Sequence, residues 1–361
     1  MQIADTRLSN RPDMKNTESP KVRFTVSALR PETITALLVL LATVLMMLIM
    51  KALNPTFGSL EQIAAILTTS IFLVIASYGQ GLVILLGGID LSIGVVMSIG
   101  GMIIAGLTNG SNQALVWAIP VTLLSCIAIG LVNGLGVAFL KVPPFIMTLA
   151  VATAAFGVAL GLTAGSSQRT VAPALQQLMS ARISGIPIPI LLIGCSLIGG
   201  SLLQSRTAEG RKLYAIGSSV AAARIVGLPI EALTVGAYGM SGLCASVAGI
   251  LLAGYSSGAT LDMGDPYLMP SIAAVVIGGA SVTGGKGNYL GTFAGAIFFS
   301  ALSTIITVLS LSQGWRNIIQ GGIIIVALTL QTKQWYLQKM ANRRLTGQGS
   351  PNRTLSQNSK V

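Results

Sequence analysis

Histidine is absent from this 361-residue chain, and charge is scarce: 9% of its residues are Asp, Glu, Lys or Arg, against roughly 25% in an ordinary soluble domain. The first absence removes His-based acid–base catalysis and His-containing metal sites. The second removes a soluble globular fold, because no polar segment is long enough to enclose a core of its own. The three cysteines, Cys126, Cys195 and Cys244, all fall inside apolar runs, and an odd number of such thiols provides no disulfide framework. No GxxxxGK[ST] phosphate loop occurs anywhere, so the chain is not expected to hydrolyse ATP by that mechanism. No constellation of carboxylates, or of a nucleophile with its base, is present for intramembrane catalysis. No metal or other cofactor is expected on this chain. A cleavable signal peptide is not expected either, since the first apolar run starts after about thirty polar residues and is long enough to span.

What is present is hydrophobicity, at 52% of residues. A helix needs about 20 mainly apolar residues to cross a bilayer core, and only helices or closed barrels satisfy their backbone groups there. The apolar runs have helix length, which predicts an all-α, polytopic transmembrane helix bundle. Ten spans are expected, at 33–50, 61–86, 91–108, 114–140, 144–163, 187–204, 231–254, 268–285, 288–311 and 315–331. The domain reading is a polar tail over 1–31, a single transmembrane domain over 32–331 and a basic tail over 332–361, both tails poorly ordered. Sixteen of the 22 basic residues fall in the first 31 residues, the last 31 residues and the loop 205–230. Ten spans put those three segments on one side, which the enrichment of Lys and Arg in short inner loops makes the cytoplasm. Both termini are therefore expected to be cytoplasmic. The net charge of +12 follows from this topology, and no nucleic-acid partner is expected, because the basic tails lack interleaved aromatics.

Forty-two glycines, many inside spans, suit close helix packing in lipid. Two glycine pairs stand apart: GGIDLSIG at 87–94 and GGASVTGGKG at 278–287 each separate two apolar runs. They predict helix breaks at membrane depth, tolerated where the freed backbone lines a protein cavity, and suggest an internal repeat. Within them Gly87, Gly88, Gly278 and Gly279 free the backbone, and Asp90 is placed to cap a helix starting near Leu91 and Ser92. Contact with a transported solute or a gating role is the alternative for Asp90. Ser92, Ser98, Asn133, Thr148, Ser246 and Tyr255 are the polar groups available to line a path. Asn133 reads first as an interhelical hydrogen-bonding group, and Thr148, after Pro143 and Pro144, as part of a helix start.

The stretch GLVILLGGIDLSIG resembles the signature of permease subunits of ribose-type (monosaccharide) ATP-binding-cassette importers, of the branched-chain amino acid/ribose permease superfamily. So do NGLGVAFLKVPPFIMTLAVATAAFGVALGLTAG (133–165), GRKLYAIGSSVAAARIVGLPI (210–230) and PYLMPSIAAVVIGGASVTGGKGNYLGTFAGA (266–296), in that order. The resemblance implies an inner-membrane path for a sugar and a separate ATPase subunit that binds ATP and Mg. It also implies a periplasmic or lipoprotein solute-binding protein and a second permease copy or paralogue. It places the coupling to the ATPase in the cytoplasmic loop, on Gly210, Arg211, Leu213, Tyr214, Ala215, Gly217, Ala222, Arg224 and Gly227. Leu213, Tyr214, Ile216, Ile225 and Val226 would offer that partner an apolar face. On the outer side Arg169 or Arg182 would meet carboxylates of the binding protein. An ion-coupled secondary transporter is the rival reading, but it needs several ionisable residues at membrane depth, and only Asp90 and Lys286 come near.

Overall fold

The computed structural model describes residues 31–55, 57–167, 170–312, 314–327 and 329. Both expected tails lie outside the described residues, apart from Pro31, as does Arg169. The chain runs α1 (Pro31–Leu53), α2 (Leu60–Leu85), α3 (Ile93–Thr108), α4 (Leu115–Ala138), α5 (Pro144–Thr163) and α6 (Pro173–Ser180). A two-stranded antiparallel hairpin follows, β1 (Arg182–Ile183) with β2 (Ile186–Pro187). Then come α7 (Ile188–Arg206), α8 (Ala208–Ser218), α9 (Val220–Ile225), α10 (Ile230–Ser256), α11 (Asp265–Ile277) and α12 (Tyr289–Val308). Residues 314–327 form a last helix, α13. The protein is an all-α, polytopic membrane bundle, and seven of its described helices are long and apolar enough to cross a membrane: α1, α2, α4, α5, α7, α10 and α12.

Two of the expected spans are shorter than a crossing. α3 has 16 residues and α11 has 13, or about 24 and 20 Å at 1.5 Å per residue, against a hydrocarbon core of about 30 Å. The expected helix over 268–285 is therefore corrected. The helix ends at Ile277, and residues 278–288 are non-helical. The break holds its own backbone bonds, Ser281 N–H to the Lys286 carbonyl and Gly284 N–H to the Ser281 carbonyl, both 3.0 Å. The first break is likewise longer than expected, with α3 starting at Ile93.

α10 is the axis of the bundle, and its sequence explains why. Gly242 lies against the Cys126 carbonyl of α4, Gly249 against the Met97 carbonyl of α3, and Tyr238 against Gly130 of α4 so closely that a side-chain carbon at any of these glycines would collide. Lipid offers no hydrophobic drive between helices, so close backbone approach at small residues supplies the packing. α5 shows the opposite pattern. Phe145, Ile146, Leu149, Val158 and Leu162 are exposed and only Thr148 and Ala152 are buried, which suits a face turned to lipid or to another chain.

Candidate functional site

Each break begins with the same helix ending. In the first, Gly87 N–H donates to the Ile84 carbonyl at 2.8 Å and Gly88 N–H to the Val83 carbonyl at 3.0 Å. In the second, Gly279 N–H donates to the Val276 carbonyl at 3.0 Å and Ala280 N–H to the Val275 carbonyl at 3.1 Å. These are paired 5→2 and 6→1 bonds, which require a left-handed residue after the last turn. Gly87 at φ 82° and Gly279 at φ 93° supply it. The two breaks thus correspond with Gly87 opposite Gly279, one residue out of step from the alignment of the glycine pairs. Gly88 and Gly278 serve a different need: a side-chain carbon at Gly88 would stand 2.6 Å from the Tyr238 hydroxyl, and one at Gly278 would collide with the backbone of Gly291.

The segment after Gly88 is non-helical as far as Ser92 and lies at membrane depth, where every unpaired backbone group is costly. Its partners are side chains from four helices. The Gln80 amide of α2 faces both backbone groups of Asp90, and the hydrogen-bonding orientation is the one with its nitrogen donating to the carbonyl at 3.0 Å and its oxygen accepting from the N–H at 3.3 Å. Thr148 of α5 accepts from Leu91 N–H at 3.0 Å while its own hydroxyl donates to the Pro144 carbonyl at 2.9 Å. The Asp90 carboxylate is 1% exposed. Its Oδ1 accepts from the Ser92 N–H at 2.9 Å and the Ser92 hydroxyl at 2.5 Å, and its Oδ2 accepts from the Ser241 hydroxyl of α10 at 2.7 Å. Asn133 of α4 donates from Nδ2 to Ser92 Oγ at 2.8 Å. Ser241 is near the middle of the 27-residue α10, which puts the carboxylate about 16 Å along a helix about 40 Å long.

Asp90 is therefore not the N-cap of α3. Ser92 occupies that position, without a side-chain cap bond of its own, and Asp90 bonds the Ser92 N–H two residues on, as short polar side chains do in turns. Among the described residues Asp90 is the one buried charged side chain, and no salt bridge there reaches it. Three hydrogen bonds hold it instead. Two buried oxygens beside this cluster, Asn133 Oδ1 and the Tyr238 hydroxyl, have no hydrogen-bond partner. Of the other polar groups expected to line a path, Ser98 accepts from Gly264 N–H at 2.8 Å and Ser246 donates to the Thr122 carbonyl at 3.4 Å, so both are engaged between helices. Tyr255 is half exposed and packs on Phe72 with ring centroids 5.6 Å apart. Lys286 is exposed, as is Arg182 in β1.

The basic loop folds as two helices separated at Ser219, whose hydroxyl caps α9 by accepting from Ala222 N–H at 3.2 Å. Its apolar residues do not form one face. Leu213 and Ile216 of α8 are buried within this chain, Leu213 against Leu82, Leu85 and Ala237 and Ile216 against Ala223 and Ile230. Tyr214 is half buried and donates its hydroxyl to the Gly287 carbonyl at 2.6 Å. Ile225 and Val226, 87% and 72% exposed, remain outward on and just after α9. The physical reason is spacing: 213 and 216 lie three apart on one side of α8, facing the bundle, whereas α9 leaves at a new angle. Glu231, at the start of α10, stands 3.6 Å from both Arg224 of α9 and Lys141 of the α4–α5 connection.

Sequence reasoning picked out Asp90, Ser92, Asn133 and Thr148, and the structure brings all four together. It missed Gln80, Ser241 and Tyr238, although each is a polar group inside an apolar run, and it missed Gly285 and Gly287. These groups describe a polytopic bundle with two paired helix breaks and a helical loop packed on them.

Comparison with known proteins makes the assignment specific. The model of the family described as branched-chain amino acid transport system / permease component matches residues 62–328, and the chain belongs to that family. It is 32% identical over 299 residues to the ribose import permease protein RbsC of Escherichia coli (strain K12), covering 82% of this chain and 93% of that one. It is 31% identical over 332 residues to the galactofuranose transporter permease protein YtfT of the same strain, covering 89% and 95%. To the autoinducer 2 import system permease protein LsrC of Enterobacter sp. (strain 638) it is 31% identical over 288 residues, covering 78% and 82%. No solved structure matches. The chain is accordingly a multi-pass membrane permease component.

Proposed function

We propose that this chain forms the membrane path of an ATP-driven importer of a monosaccharide. The supporting observation is its similarity, over almost their whole length, to permeases named for ribose import and for galactofuranose transport. In this reading a solute-binding protein delivers the sugar at the outer face. A separate ATP-binding-cassette subunit holds ATP and Mg and docks on the cytoplasmic loop, and the path lies between two permease copies or this chain and a paralogue. α3 and α11, each extended by the non-helical break beside it, and α13 complete ten membrane passes, with both tails and α8–α9 in the cytoplasm. The outward Ile225 and Val226, flanked by Arg224, are the groups offered to the ATPase, and α8 is the part of the loop that belongs to the bundle. Asp90, with its three hydrogen bonds, holds the first break in shape. Among the described residues Asp90 is the one buried ionisable Asp, Glu, Lys or Arg, which argues against ion coupling, because that uses several such groups.

The test is uptake in vesicles reconstituted with this chain, its ATPase and its binding protein, using labelled ribose and galactofuranose. Uptake that requires ATP and the binding protein is the expected result. Uptake by this chain alone, driven by an ion gradient, would refute the proposal. Val226→Asp should leave the purified bundle folded while the ATPase no longer co-purifies.

A further inference from the structure

The two helix breaks and the cytoplasmic loop are 70 to 200 residues apart in sequence, yet they meet backbone to backbone. Gly285 N–H in the second break donates to the Leu85 carbonyl at the end of α2, at 2.9 Å. Gly217 of α8 fits over that same bond: a side-chain carbon there would collide with the Leu85 carbonyl oxygen and stand 2.5 Å from Gly285 N. One at Gly284 would stand 2.9 Å from Gly87 N and 3.1 Å from the Gly217 carbonyl oxygen. Tyr214, one turn before Gly217, ties α8 to the far end of the second break through its bond to the Gly287 carbonyl. Buried Leu213 holds the same helix on Leu82 and Leu85.

From this junction we infer that Tyr214 and Gly217 are positioning residues, which make α8 and both helix breaks move as one body when the loop is displaced. Close-packed backbones have no soft side chain between them to absorb a shift, so a displacement passes on undiminished. A hydrogen bond and a buried Leu keep the contact in tension as well as in compression. α9, by contrast, meets the rest of the chain through one small buried side chain, Ala223, against Ile216 and Ile230, and through an exposed ion pair from Arg224 to Glu231, which is weak and screened. The loop is thus divided into a lightly held docking helix and a lever joined backbone to backbone. This inference rests on the proposed coupling of the loop to an ATPase.

The experiment measures three quantities in the reconstituted complex: ATPase co-purification, solute-stimulated ATP hydrolysis and sugar taken up per ATP. Tyr214→Phe keeps the ring and its packing and removes the bond to the Gly287 carbonyl. It should leave the first two unchanged and lower uptake per ATP by about fivefold, the factor one hydrogen bond is worth. A reporter, Thr283→Cys in a Cys195→Ser background, should change its maleimide reactivity on ATP addition, and Tyr214→Phe should abolish that change. Gly217→Ala should uncouple more severely. If it fails to fold, Tyr214→Phe with the reporter still decides. Unchanged uptake per ATP together with an unchanged reporter response in Tyr214→Phe would overturn the lever while leaving the importer reading intact. A wild-type chain that binds no ATPase would overturn both.

Discussion

Replacing Asp90 separates a structural from a transport role for the buried carboxylate. Asp90→Ala removes three acceptor contacts at once and leaves the Ser92 N–H, the Ser92 hydroxyl and the Ser241 hydroxyl without the partner seen at 2.9, 2.5 and 2.7 Å. Within membranes a side-chain hydrogen bond is worth about 0.6 to 2 kcal/mol, so three amount to roughly 2–6 kcal/mol before any repartnering. Ser241 sits on a helix and can turn its hydroxyl to a carbonyl one turn back, which puts the expected cost near 3 kcal/mol, a large part of a bundle's total stability. Asp90→Asn keeps one oxygen for Ser92 and presents its amide to Ser241 Oγ, which can accept. The loss there should be about 1 kcal/mol. Denaturant titration in mixed micelles, read by tryptophan fluorescence, measures both, with uptake measured in parallel. Equal destabilisation by Asn and Ala would refute the hydrogen-bond account, because the charge itself would then be what the fold needs. Full stability of Asp90→Asn with no uptake would refute the structural role and assign Asp90 to solute or gating.

The unpartnered Tyr238 hydroxyl gives an opposite sign: Tyr238→Phe removes a buried group that satisfies nothing and should leave stability unchanged or raise it by about 1 kcal/mol in the same titration. Gly88→Ala, whose new carbon would meet that hydroxyl at 2.6 Å, should lower stability, and Tyr238→Phe should restore it in the double variant. Gly242→Ala drives a methyl into the Cys126 carbonyl between α4 and α10 and should cost about 1–3 kcal/mol, seen as a lowered melting temperature. Glu231→Gln breaks both contacts to Lys141 and Arg224, but these side chains are 38–67% exposed. The melting temperature should not move, and any change in ATPase association should vanish at high salt.

What the sequence makes legible here are properties that a single segment carries. Hydrophobic runs of bilayer length announce the bundle, and a lone carboxylate between two glycines and a serine announces a break held by polar groups. Asn133 and Thr148 are conspicuous for the same reason. What it hides is pairing. Nothing near Asp90 points to Ser241, 151 positions away, because a serine in a Gly- and Ala-rich helix is as easily explained by packing. The second break is announced by its glycine pair, but its extent is hidden: hydropathy carries the span on to 285 because the polar residues there are small and uncharged up to Lys286. It breaks because Gly279 takes a left-handed conformation and Gly278 admits the backbone of Gly291. Aligning the glycine pairs letter by letter fails for the same cause. A glycine is recorded identically whether it supplies a positive φ, as Gly87 and Gly279 do, or only vacates space, as Gly88 and Gly278 do. In the loop, Leu213 and Ile225 look equally apolar, yet one anchors α8 beneath the bundle and the other stays outside. The helices α8 and α9 part at Ser219, and that turn decides which residues a partner can reach.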